Sequence, residues 1–433
     1  MKLEKFKEKN NKKIGILIFT ICCILLIAGV YLYSSFAIYE QNQNFNVING
    51  TVEDPGDLYF AFYVDDVISK TMPSKESIYV LDTEKSSCTN GAIPSLDEDT
   101  WSIVVENLTT THTKCTLYFT QSITKQIIAQ LDATGSCPSV NEGGTVQVTS
   151  AESENGYLCS APDDYGTSYY YRGNVTNNYV SFAGYYWRIL RINGDGSIRM
   201  IYDGTSAHVN GEESTDRQIS ENTYNFSYSD NAYIGYMVGT TGASTYEETH
   251  SNLRDSTSKN VLDNWYRSNI TNQSLSSYIA DTLFCNDRSF AISNTGTGYG
   301  TSVTRYRGYE TGYDRHPSLY CTQQNDRFTV SSNGIGNGAL TYPIGLITID
   351  EAYLAGGYNL TNQQYYLYTG NAFWTMTPFS FDGSYANIRY VYSNGGTDGT
   401  SGISNSYGLR PVINLKANSL RSGDGTMENP FSI

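Results

Sequence analysis

The longest apolar run in the chain, Ile14 to Tyr33, reads IGILIFTICCILLIAGVYLY and carries no charge. Its length matches the roughly 20 residues a helix needs to cross a bilayer core. Lys2, Lys5, Lys7, Lys9, Lys12 and Lys13 precede it, against only Glu4 and Glu8. The positive-inside rule then makes residues 1–13 a cytoplasmic basic tail and puts the C-terminus outside. The pattern predicts a signal-anchored, single-pass protein of the cell membrane that contacts lipid through residues 14–33. The competing reading is a signal peptide cut near Ser34, Ser35 and Ala37, although signal cores usually span only about 7 to 15 apolar residues. Either reading exports the remainder.

After a stalk rich in Asn and Gln at residues 34–51, the period shortens to that of strands. The runs Leu58–Val64, Ser77–Leu81, Trp101–Glu106 and Cys115–Phe119, with turn residues between them, predict a small β-sandwich over residues 52–120. Ile123, Ile127, Ile128 and Leu131 then recur at helical spacing before Thr134-Gly135, which predicts a linker helix within residues 121–134. Residues 135–433 form the main domain. Its clearest element is a β-hairpin over Tyr185–Tyr202, because Asn193-Gly194-Asp195-Gly196 tolerates the positive φ of a tight turn. Helices are expected at Ser256–Ser268, with Val261, Leu262 and Trp265 on one face, and at Ser274–Phe284. Ser293 to Tyr320 has no period and reads as a long loop.

Charge narrows the partners. The chain carries −15 overall. The basic tail has a surplus of four, so the rest carries −19 and repels nucleic acid. Tyr and Gly are abundant, at 38 and 39 residues, which suits half-buried strands and contact surfaces alike. Cys22 and Cys23 lie in the apolar run, as filler or as palmitoylation sites. Cys88, Cys115, Cys137, Cys159, Cys285 and Cys321 remain, and six cysteines allow 15 connectivities. The sequential pairing Cys88–Cys115, Cys137–Cys159 and Cys285–Cys321 keeps each crosslink within one unit.

From Tyr179 to Ile433 the motifs YYWRIL, LDNWYRSNI, FCNDRS, NDRFTV, LTYPIGLITIDEAYLAGG, FWTMTP, YGLRPVINLK and GDGTMENPF follow one another. This series resembles an uncharacterised domain of Gram-positive bacterial surface proteins, related to the formylglycine-generating-enzyme type of C-type-lectin-like fold. The resemblance implies an irregular α+β domain with long loops, and it sets the expected fold class: α+β, with a transmembrane helix, a small β-sandwich and a C-type-lectin-like domain. It also implies a structural Arg410, paired with a buried carboxylate, and core roles for Trp187, Trp265 and Trp374. It does not carry over the enzymes' oxidase activity, whose two neighbouring copper-binding cysteines near the C-terminus have no counterpart after Cys321.

Other chemistry is sparse. His112, His208, His250 and His316 are scattered, without HExxH or CxxC spacing for zinc. Calcium, which lectin-type folds often hold, would need oxygen ligands. Asp163-Asp164, Asp195 and Asp424 are the candidates, but turn residues bonding their own backbone explain them better. No metal or other cofactor is expected. Asp350-Glu351 reads as the capped first turn of a helix ended by Gly356-Gly357 rather than as an acid or metal site. The expected function is non-enzymatic ligand binding or adhesion at the cell surface, to a glycan or an extracellular or host protein. The contacts would come from loop 293–320, through Tyr299, Tyr306, Tyr309 and Tyr313, and from the loop Asn394–Asn405. The alternatives are a structural envelope protein and an enzyme with an unrecognised site.

Overall fold

The computed structural model describes residues 58–433, apart from 76, 99, 109–111, 315, 333 and 360, and the side chains of 311–314. The chain divides into two compact units, Met1–Lys125 and Gln126–Ile433. Strands take 33% of the described residues and helices 14%. The expected α+β class headed by a membrane helix is therefore corrected to a mostly β fold. Among the described residues no helix is long and apolar enough to cross a membrane. The proposed anchor, with its tail and stalk, lies outside the described residues, and the single-pass membrane location built on it does not stand as a feature of this fold. All six cysteines outside the apolar run form disulfides, in the sequential pairing. Such bonds belong to an oxidising, extracellular or secreted setting.

In the first unit the strands β1 (Leu58–Val64) and β2 (Thr113–Gln121) pair in parallel, with Phe60 opposite Cys115. Along β2 every second residue, Thr113, Cys115, Leu117 and Phe119, is buried, which is the period-2 signature of a sheet with one covered face. The antiparallel pair Ile93–Asp97 and Ser102–Glu106 adds Ile103 and Val105 to the same core as Phe60, Phe62, Leu117 and Phe119. Cys88–Cys115 lies against this core, as a unit of so few residues requires. The linker helix is shorter than expected, Ile123–Ile128.

The second unit is organised around β3 (Tyr185–Ile192) and β4 (Ile198–Gly204), the expected hairpin. Asn193 N–H donates to Ser197 O at 2.8 Å and Gly196 sits at φ +80°, so the turn uses the conformation that favours glycine. The bulge at Leu190 sets Arg191 opposite Arg199. A seven-stranded sheet grows from this hairpin, with Val412–Leu415 beside β4 and Tyr179–Phe182 beside β3. A second, six-stranded sheet is built on Phe373–Phe381 and Ala386–Val391.

The helix α1 (Thr257–Tyr266) starts where expected because the Ser256 side chain accepts from Lys259 N–H. Leu262 is buried, whereas Val261 and Trp265 are only partly so. Trp187 and Trp374 are fully buried, and their indole N–H groups donate to Phe182 O and Asn222 O. Ser274–Phe284 is not a helix. Only Ser276–Tyr278 makes a single 3₁₀ turn, and the chain then extends, with Ala280 N–H donating to Asn414 O. Loop 293–320 is partly regular: Thr304–Arg305 pairs with Ser380–Phe381, and α2 (Arg307–Asp314) follows. Within Asn394–Asn405, Gly399–Gly402 is likewise a strand, paired with Asn387–Tyr390.

Arg410 is buried and bonds to Asp203 at 2.9 Å, the carboxylate partner expected of it. Asp203 also takes two bonds from Arg217, at 2.7 and 3.0 Å, and faces Arg188 at 3.9 Å. One carboxylate thus joins β3, β4, the 3₁₀ turn Thr215–Arg217 and the approach to Val412–Leu415.

Candidate functional site

Two arginines directly opposite on neighbouring strands repel one another unless an anion lies between them. Arg191 and Arg199 meet that requirement with Glu351, whose carboxylate lies 3.1 Å from Arg191 Nε and 2.5 Å from Arg199 Nε. Glu351 belongs to α3 (Ile349–Leu354) and completes a capping box there: its side chain accepts from Thr348 N–H while Thr348 Oγ1 accepts from Glu351 N–H. Burial would raise the Glu351 carboxyl, but the two guanidinium groups and the Thr348 N–H outweigh it and hold the group below the usual range. The cap expected for this turn exists, and Glu351 has the second task of neutralising the hairpin arginines.

Next to this knot lies a cleft with a cavity of about 40 Å³. One wall comes from Asp163, Asp164 and Tyr165, another from Arg191 and Arg199, and a third from Leu283, Cys285 and Asp287. Arg307, Ser318, Leu319 and Tyr320 close the side contributed by segment 293–320, and Thr348, Asp350, Glu351 and Thr377 form the floor. That side is held firmly. Leu319 bridges Asp163 in the backbone, Ser318 N–H donates to Asp350 at 2.9 Å, and Cys321 N–H donates to Asp164 at 2.8 Å. Cys285–Cys321 ties the segment to the opposite wall.

Asp163 is already saturated: it accepts from Tyr165, Gly166 and Gly194 N–H and from Arg191. Glu351 is similarly filled. Asp164 pairs with Arg327 at 2.8 Å, and Asp350 lies 3.5 Å from Arg307. Burial raises the carboxyls of Asp164 and Asp350, against the pull of these partners, and pushes the Tyr165 hydroxyl up to about 12. Perturbed groups around a cavity are a physical mark of a binding or catalytic site.

The tyrosines expected to make contact fare differently. Tyr306 is fully buried, donates to Asn231 Oδ1 at 2.6 Å and packs edge-on against His250, so it is core and is withdrawn as a contact residue. Tyr309 is half-buried, stacked on Phe379 at 5.0 Å. Tyr299 is half-exposed. Tyr313 lies on α2, and its side chain is outside the description. The tyrosine from this segment that lines the cleft is Tyr320, 38% exposed, with its ring over Gly144.

Asp195 and Asp424 are turn residues as expected, accepting from Ser197 N–H and Thr426 N–H. Among the described residues no group of three or more His, Cys, Asp or Glu could hold a metal ion. The histidines stay apart. His208 lies between Glu212 and Asp216, each at 2.9 Å, and His250 is buried with its pKa held well below the usual value by burial and by Arg288.

The cleft draws on six separate stretches of sequence, so no local motif announces it. The Asp163-Asp164 and Asp350-Glu351 doublets were its visible traces. No family model, curated protein or solved structure matches the chain. Fold and site define a class only: a mostly β, disulfide-stapled protein with a charged, clamped cleft in its larger unit.

The clamp carries a testable consequence. The Cys285–Cys321 loop has a sequence separation of 36, for which chain entropy predicts a loss of about 4 kcal/mol on removal. Cys285→Ser/Cys321→Ser should lower the urea midpoint of the larger unit and expose segment 293–320 to protease. An unchanged midpoint would show that the wall is held without the crosslink.

Proposed function

We propose that this is an exported, non-enzymatic binding protein that recognises an extracellular ligand at the cleft walled by segment 293–320. The observation that carries this reading is the clamped wall. Ser318, Leu319 and Tyr320 are presented on a stretch fixed by a disulfide at Cys321, two N–H groups that donate to carboxylates, and a backbone bridge. A pre-ordered wall binds without a further ordering cost. In support of the non-enzymatic reading, two of the lining carboxylates are already engaged: Asp163 accepts from Arg191 and three backbone N–H groups, and Glu351 serves Arg191, Arg199 and the Thr348 cap.

The test is a binding screen of the oxidised protein against glycans and extracellular-matrix proteins, with and without calcium. Tyr320→Ala should weaken a saturable hit by at least about tenfold, the effect of a residue contributing about 1.4 kcal/mol or more. Its melting temperature should not change, because the ring is partly exposed. Equal losses of binding and stability would make Tyr320 a core residue and defeat the assignment.

A further inference from the structure

We propose that the cleft receives a single terminal ammonium group at the end of an aliphatic stem, as a lysine side chain of a partner protein presents it. The inference rests on the binding role given to the cleft above and names what enters it.

The enclosed part of the cleft is small. One water needs roughly 10–15 Å³ of such space, so 40 Å³ holds about three water-sized groups. An ammonium with its adjacent methylenes fits this space.

Charge selects the sign. The buried ions in and around the cleft pair off as Asp163 and Glu351 with Arg191 and Arg199, Asp164 with Arg327, Asp350 with Arg307, and Asp326 with Arg288. Asp287 lines the same cavity, is 8% exposed, and has no cation among these pairs. Its oxygens accept only neutral donors, Ser289 N–H at 2.9 Å and Thr322 Oγ1 at 2.9 Å. Among the described residues, the cleft therefore has one carboxylate more than the cations paired in and around it. A buried carboxylate without a counter-charge is costly, and a bound cation offsets that cost.

The walls select the kind of cation. The described carboxylates do not converge into a metal-holding group. Leu283 and Leu319 offer apolar contact for methylenes, and the rings of Tyr165 and Tyr320 line the same space. An aromatic face attracts an ammonium held near it.

The experiment titrates the full oxidised chain, by chemical-shift perturbation, with Nα-acetyl-lysine amide, Nα-acetyl-norleucine amide and N-acetylglucosamine. The lysine probe should give saturable shifts, and the other two should give none. Asp287→Asn, which keeps both hydrogen-bonding oxygen positions occupied by polar atoms, should weaken the lysine probe at least tenfold while the melting temperature holds. Equal binding of norleucine overturns the proposal, as does undiminished binding by Asp287→Asn. Should that variant fail to fold, the lysine–norleucine contrast on the unaltered protein decides alone. A matrix protein or glycan that binds while the lysine probe does not would sink this inference and leave the binding role standing. Silence from every ligand would remove both.

Discussion

Asp203→Asn should cost about 3–5 kcal/mol of stability, the range for stripping the counter-charge from a buried ion cluster. The substitution preserves shape and removes only the charge. Arg188, Arg217 and Arg410 are all fully buried around Asp203, so the site already holds more positive than negative charge. The surplus is spread over carbonyls: Arg188 donates to Val175 O, Arg217 to Glu212 O, and Arg410 to Leu367 O and Tyr202 O. The Tyr179 ring adds its face 3.8 Å from the Arg188 guanidinium carbon. Burial already brings the Arg410 pKa down to about 10 against the opposing field of Asp203. Losing that field leaves three guanidinium groups with no anion.

Urea unfolding followed by tryptophan fluorescence measures the effect. Trp187, Trp265 and Trp374 all belong to the larger unit, and the first and last are buried. Asp382→Asn, in an exposed turn, is the control and should leave the midpoint in place. A loss below about 1 kcal/mol for Asp203→Asn would mean that the carbonyls and rings hold the arginines without the carboxylate. Adding Arg410→Met to Asp203→Asn should recover part of the loss, since a hydrophobic replacement removes a charge that no longer has a partner.

Glu351→Gln should be comparably damaging, about 3–5 kcal/mol, because Glu351 serves two arginines and a helix cap at once. It also predicts a pH signature. The folded-state pKa of Glu351 lies below its unfolded value of about 4.3. The stability it contributes is therefore fully present above the unfolded value and is lost as pH falls through the folded one, where native and unfolded states bind the same proton. Plotted against pH, the parent protein should lose stability on acidification, and the Gln variant should lose less. The two curves should draw together in acid. Parallel curves would show that Glu351 carries no net charge interaction and that its role is confined to the cap.

Much of the local structure was legible along the chain. The hairpin at Tyr185–Tyr202 followed from a turn whose residues tolerate positive φ between two β-forming runs, and α1 followed from Ser256 and the spacing behind it. Leu58–Val64 matched its strand to the residue. The disulfides followed from keeping each crosslink inside one unit. In all these cases the signal lies within a few residues and the physics is local.

Where long-range contact decided, periodicity was silent or misleading. Ser274–Phe284 has helical spacing, yet Ala280 bonds to Asn414 and Phe284 pairs with Phe328, so extended pairing wins over propensity. Segment 293–320 read as a display loop because it is rich in Gly, Ser and Thr. Its Tyr306 is nevertheless core, because Asn231 and His250 arrive from elsewhere to receive it.

The sequence by itself determined export-type cysteine pairing, a β-forming pattern, an acidic balance and the turns that close the main hairpin. Only the tertiary structure decided that Asp163, Asp164, Asp287, Asp350 and Glu351, spread over nearly 190 residues, line one cavity with three arginines. The reason is physical. Spacing along a chain specifies which face of a strand or helix a residue takes, whereas the pairing of buried charges depends on which distant elements the core brings within about 4 Å.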